Sequence, residues 1–66
     1  MKIGDRVKLL ALHSGPAHLE YLVGTEGTII DETRVGTMPV LFHVKFDEAP
    51  QPGVWGFLEI DLKLIL

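Results

Sequence analysis

Cysteine is absent from this 66-residue chain. Disulfides and thiolate metal ligands therefore cannot supplement the core, and the composition suits a reducing compartment. Serine occurs once, at Ser14, so with no cysteine beside it nucleophilic catalysis has almost no candidates. Positive charge is in short supply: six Lys and Arg face nine Asp and Glu, for a formal charge of −3. The six are scattered at Lys2, Arg6, Lys8, Arg34, Lys45 and Lys63, whereas phosphate backbones are held by a concentrated field of that sign. No apolar run approaches the ~20 residues of a membrane span, and no apolar signal core follows Lys2. These absences lead to the expectation of a cytoplasmic protein, with no membrane or nucleic-acid partner, no metal and no cofactor.

Apolar residues make up 47% of the chain. A domain of this size buries only about 60% of the surface its unfolded form exposes. Some of those side chains are accordingly expected to face a protein partner or a second copy of the chain.

The chain is organised around Val23-Gly24-Thr25-Glu26-Gly27-Thr28-Ile29-Ile30-Asp31-Glu32, where two glycines lead into a β-branched run. Glycine tolerates positive φ and close backbone approach, while Thr and Ile suit a pleated strand, so the spacing predicts a tight bend feeding a strongly curved strand. Ahead of it, Asp5-Arg6-Val7-Lys8-Leu9-Leu10 alternates charged with aliphatic residues and predicts a half-buried strand entered through Gly4. Between them, residues 11–22 lose the alternation around the breaker Ser14-Gly15-Pro16, with Leu12, Leu19, Tyr21 and Leu22 as apolar anchors. A long loop is expected there. A short helical turn over residues 16–22 is compatible with Ser14 as its cap and Pro16 in its first turn.

Downstream, Gly36 and Pro39 bracket a turn, and Pro39 stands where a strand can begin. Val40, Phe42, Val44 and Phe46 then share one face of the cleanest strand, with Leu41, His43 and Lys45 on the other; this is the expected central strand. Asp47 to Gly53, with two prolines, predicts a connection or hairpin tip. A short strand Val54-Trp55-Gly56-Phe57, one helical turn at Leu58-Glu59-Ile60-Asp61 and a last strand Leu62-Lys63-Leu64-Ile65-Leu66 complete the order. Five short strands, a long first loop and one helical turn before the last strand describe an all-β, single-domain SH3-like barrel spanning residues 1–66. A five-stranded oligonucleotide-binding barrel is the competing architecture.

Several segments carry resemblances. Gly4-Asp5-Arg6-Val7, Gly24-Thr25-Glu26-Gly27-Thr28-Ile29, Met38-Pro39-Val40, Val44-Lys45-Phe46 and Phe57-Leu58-Glu59-Ile60-Asp61-Leu62 together resemble the SH3-like barrels of electron-transfer accessory subunits. Those are the variable chain of ferredoxin-thioredoxin reductase and the small stromal subunit of photosystem I. The resemblance implies a non-catalytic barrel that docks on a larger subunit. The opening Gly-Asp-Arg-Val is also similar to plasmid-type dihydrofolate reductase, a tetramer of such barrels, although that family's Val-Gln-Ile-Tyr stretch is replaced by Val54-Trp55-Gly56-Phe57. Residues 24–30 further resemble the glycine-rich turn of RNA-binding KOW modules.

Weighed residue by residue, the constellations favour contact over catalysis. His13, His18 and Glu20 share a loop without metal-ligand spacing and read as solvated. His43 sits on the polar face beside Lys45. Asp31 with Glu32 and Asp47 with Glu48 read as hydrated acids near turns. Trp55 and Tyr21 are the sole residues of their kinds, and such rings anchor interfaces or plug cores. The expected function is a non-enzymatic accessory subunit, adaptor or small homo-oligomer. Its contact surface is placed on the loop of residues 11–22, with His18, Leu19 and Tyr21, flanked by Trp55 and Phe57. A nucleic-acid-binding module and a pore-type oligomeric enzyme are the alternatives.

Overall fold

The computed structural model describes residues 1–13, 17–49 and 53–65. Five strands, β1 (Arg6–Leu9), β2 (Glu26–Thr33), β3 (Leu41–Phe46), β4 (Val54–Leu58) and β5 (Leu62–Leu64), form one antiparallel sheet in the order β4-β3-β2-β1-β5. Two 3-10 segments, Ala17–Leu22 and Glu59–Asp61, lie in the β1–β2 and β4–β5 connections. The all-β, five-stranded expectation is met at that level. The sheet is not closed, because β4 and β5 stand at its two ends. The middle position belongs to β2 and not, as expected, to β3, which pairs with β2 on one side and β4 on the other.

Alternation decides which face is buried. Val7 and Leu9 of β1, Ile29 of β2, Phe42, Val44 and Phe46 of β3, Phe57 of β4 and Leu62 of β5 form one cluster, completed by Leu19 and Leu22. The last two are three residues apart. In a 3-10 segment, with three residues per turn, that spacing stacks them on one side. His18 and Tyr21 fall on the opposite, exposed side. The Phe46 and Phe57 rings meet edge-on, with centroids 5.7 Å apart. The proposed cap Ser14, the first-turn Pro16, the tip prolines Pro50 and Pro52, and the terminal Leu66 lie outside the described residues.

Curvature originates where the sequence places it. Gly24, at φ +91°, turns the chain into β2. Its N–H donates to the Leu9 carbonyl at 2.8 Å, and Leu9 in turn donates to the Thr25 carbonyl at 3.0 Å. Gly27 serves a different need. A Cβ at that position would stand 2.6 Å from the Lys45 carbonyl oxygen and 2.7 Å from Val44 Cγ1, so β2 approaches β3 more closely than any side chain allows. Three residues on, the β2–β3 register jumps between Ile29 and Asp31. This bulge sends Ile30 to the surface and sharpens the twist. Asp31 and Glu32, expected beside a turn, are inside β2 beyond the bulge.

Substituting Gly27→Ala should destabilise the fold by about 1–3 kcal/mol, because the added methyl meets backbone that cannot swing aside. A urea titration followed by circular dichroism measures it, and an unchanged midpoint would contradict the close approach.

Candidate interaction surface

The residues expected to form a contact surface separate in the fold. Leu19 and Phe57 are buried in the core and offer no surface. For Leu19 the cause is the 3-10 period; for Phe57 it is the strand parity that points residue 57 inward opposite Phe42. His18 and Tyr21 are exposed, Tyr21 to 59%. Trp55 is half-buried: it packs on the core and lies 6.3 Å from the Phe46 ring, while one side remains open.

A different surface gathers the three most exposed of the large apolar side chains among the described residues, Val35, Met38 and Ile60. The β2–β3 connection turns at Val35 to Met38, where the Met38 N–H donates to the Val35 carbonyl at 3.0 Å and Gly36 takes φ +54°. That turn holds Val35 and Met38 outward, at 60% and 69% exposure. Across from them stands the 3-10 segment Glu59–Asp61, whose composition is inverted: Ile60 is 70% exposed and Asp61 is fully buried. Two adjoining clefts, of about 300 and 470 Å³, open between these elements and share Pro39 and Leu58. Val35, Met38 and Leu41 line the smaller. Met1, Ile60, Arg34 and Glu59 border the larger, with Phe42 at its wall. Apolar side chains floor the smaller cleft, and Arg34 and Glu59 bring opposite charges to the margin of the larger.

The inversion at residues 60 and 61 has a structural cause. The Asp61 carboxylate lies 2.8 Å from His13 Nδ1, and the Asp61 carbonyl accepts the Leu10 N–H at 2.7 Å. Both bonds tie the β1–β2 connection to the far end of the chain. With residue 61 committed inward, residue 60 must face out. His13, read from sequence as a solvated histidine, is exposed over most of its side chain yet fastens this acid. His43 Nε2 lies 2.8 Å from Thr33 Oγ1 on the outer face of the sheet. Among the described residues, no group of three His, Cys, Asp or Glu side chains converges as metal ligands do.

A bidentate ion pair closes the other end of the sheet. Arg6 Nη1 donates to Asp47 Oδ1 at 2.8 Å and Nη2 donates to Oδ2, while Nη1 also reaches Thr28 Oγ1 at 2.8 Å. Glu26 Oε1 is 3.6 Å from Nη2. The hydrogen bonds from Arg6, with its charge, hold the Asp47 carboxyl below its ordinary range against a smaller opposing effect of desolvation. The same pair raises the Arg6 pKa. Asp47, read as a hydrated acid, is thus the anchor of the β3–β4 connection on β1. Register alone would have hinted at this only after the strands had been paired.

No family model, curated protein or solved structure matches the chain. Its surfaces must therefore be read from their own chemistry. Among the described residues, no helix is long and apolar enough to cross a membrane.

Because the Asp47 carboxyl is more acidic folded than unfolded, its stabilisation is fully present above the unfolded value of about 4 and is lost as pH falls through the lower folded value. Asp47→Asn should therefore be less stable than the parent at neutral pH, and the two should converge on acidification. Thermal unfolding of both proteins across the acid range tests it. A gap that widened toward low pH would contradict the pairing.

Proposed function

We propose that the chain is a non-enzymatic protein-binding module, an accessory subunit or adaptor, whose contact surface is the apolar cleft between the β2–β3 turn and the 3-10 segment Glu59–Asp61. The observation that carries this reading is the exposure of Val35, Met38 and Ile60 around Pro39 and Leu58. Leaving such side chains in water forgoes about 1.5–3 kcal/mol each relative to burial, so a surface that groups them is suited to a partner that covers them. Arg34, paired with Glu32 at 2.8 Å, and Glu59 give the rim its polarity and fix orientation more than affinity. Compared with the sequence expectation, the role is retained and the surface is moved from the long loop to the opposite connection.

The fold that presents this surface is proposed to be an SH3-like barrel left open between β4 and β5. The order of strands, the long first connection, the bulged β2 and the 3-10 segment before β5 support that reading. Absence of cysteine and the solitary serine favour a binding role over nucleophilic catalysis.

A second reading, a KOW-like nucleic-acid module, draws on the strand parity. Arg6, Lys8, Lys45 and Lys63 all point to the outer face of the sheet. Arg6 is engaged by Asp47 and Glu26, and Glu26 lies opposite Lys8, so this face is mixed in sign. Retention on immobilised RNA that falls steeply with salt would favour this reading; passage through the column unretained is expected.

Met38→Glu combined with Ile60→Glu should leave stability within about 0.5 kcal/mol, since both side chains are exposed. The same change should abolish the association of partner proteins retained by the parent chain on affinity resin. Identical proteins retained by parent and variant would overturn the assignment of the cleft.

A further inference from the structure

The two ends of the sheet are unlike. β5 is three residues long and carries Lys63 at its centre. Short length and an edge lysine are the ordinary devices that stop a strand from templating another. β4 has five residues, Val54-Trp55-Gly56-Phe57-Leu58, with neither charge nor proline. The uncharged run extends over residues 49–58, in a chain whose formal charge is −3.

The direction of the β4 backbone groups follows from its ladder. The Phe46 N–H donates to the Gly53 carbonyl at 3.0 Å, and the register continues as Val44 opposite Trp55 and Phe42 opposite Phe57. In an antiparallel ladder, hydrogen-bonded and non-hydrogen-bonded pairs alternate. Residues 53, 55 and 57 therefore address β3, and the N–H and C=O groups of Val54 and Gly56 point away from the sheet. Both residues are half-exposed.

From this we infer that β4 is the site at which a second copy of the chain adds, antiparallel and across a two-fold axis passing Trp55. In that register Val54 of each copy lies opposite Gly56 of the other, and each such pair exchanges both of its N–H···O bonds. Trp55 meets its own counterpart at the close, non-hydrogen-bonded position, with Cα atoms about 4.5 Å apart. The pairing uses no backbone group of Leu58. A second copy is the occupant because the strand complements itself under two-fold symmetry, as a closed dimer requires. Charge supports the same choice, because two acidic copies repel one another and β4 is where they meet without opposing carboxylates. The open side of Trp55 is covered in the dimer, which extends the Phe46–Trp55 contact across the seam. This surface is separate from the apolar cleft, and the inference stands without it.

Analytical ultracentrifugation of the full chain over a range of concentrations should show a reversible monomer–dimer equilibrium. Trp55 fluorescence should shift to the blue as the dimer forms, and the Gly56 amide should gain protection from hydrogen exchange in the same range. Val54→Lys and Val54→Pro, both at a position whose N–H faces away from β3, should lose the dimer while keeping the parent's circular dichroism. The paired substitution Met38→Glu, Ile60→Glu should leave the dimer intact, so failure of the cleft reading and failure of this one give different results. A strictly monomeric parent chain at millimolar concentration, or a dimer in which the Gly56 amide exchanges as fast as in the monomer, would overturn the inference. The hydrogen-exchange comparison uses the unsubstituted chain and decides the matter even where a variant fails to fold.

Discussion

The structure depends on one close backbone approach, that of β2 to β3 at Gly27. A Cβ there would collide with the Lys45 carbonyl and with Val44, both of which are fixed by the ladder and the core. Two residues later Ile29 is fully buried, and immediately beyond it the register jumps. Close contact, buried anchor and bulge fall within five residues of this eight-residue strand, and beyond the bulge β2 buries no residue, so its first half alone faces the core. A bulge increases the local twist of its strand, and twist lets a single sheet bring the aromatic rings of β3 and β4 and the aliphatic chains of β1 and β5 into one cluster.

Much of this was legible in the sequence, for definable reasons. Alternation of charged with aliphatic residues located β1, and alternation of Val, Phe and Lys located β3, because a half-buried strand imposes a period of two. The glycine pair located the bend, because few other residues permit positive φ or such close approach. Parity even assigned Phe42, Val44 and Phe46 to the buried face correctly. The central place in the sheet was assigned wrongly because it depends on pairing order. The periodicity of β3 shows burial on one face but not which strands flank it.

The surface was much less legible. Leu19 and Phe57 were expected at a contact, yet a residue's neighbours three positions away decide its exposure in a 3-10 segment and its parity decides it in a strand. The apolar cleft was missed for the complementary reason. Val35, Met38 and Ile60 come from two connections more than twenty residues apart, and only the sheet brings those connections together. At Ile60 and Asp61 hydrophobicity pointed the wrong way altogether. The buried acid is met by a histidine 48 positions earlier, and no local pattern contains that information.

β1 is the first strand in sequence, yet it lies between β2 and β5 in the sheet. Its pairing with β5, Val7 with Leu64 and Leu9 with Leu62, joins segments more than fifty residues apart. The hairpins β2–β3 and β3–β4 are local in sequence, whereas one flank of β1 stays open until residues 62–64 reach it. Contacts of such long sequence separation are slow to form. Joining β1 to β5 therefore carries the greatest loop-closure cost of any pairing in the sheet, and until it forms the free flank of β1 is open to other strands.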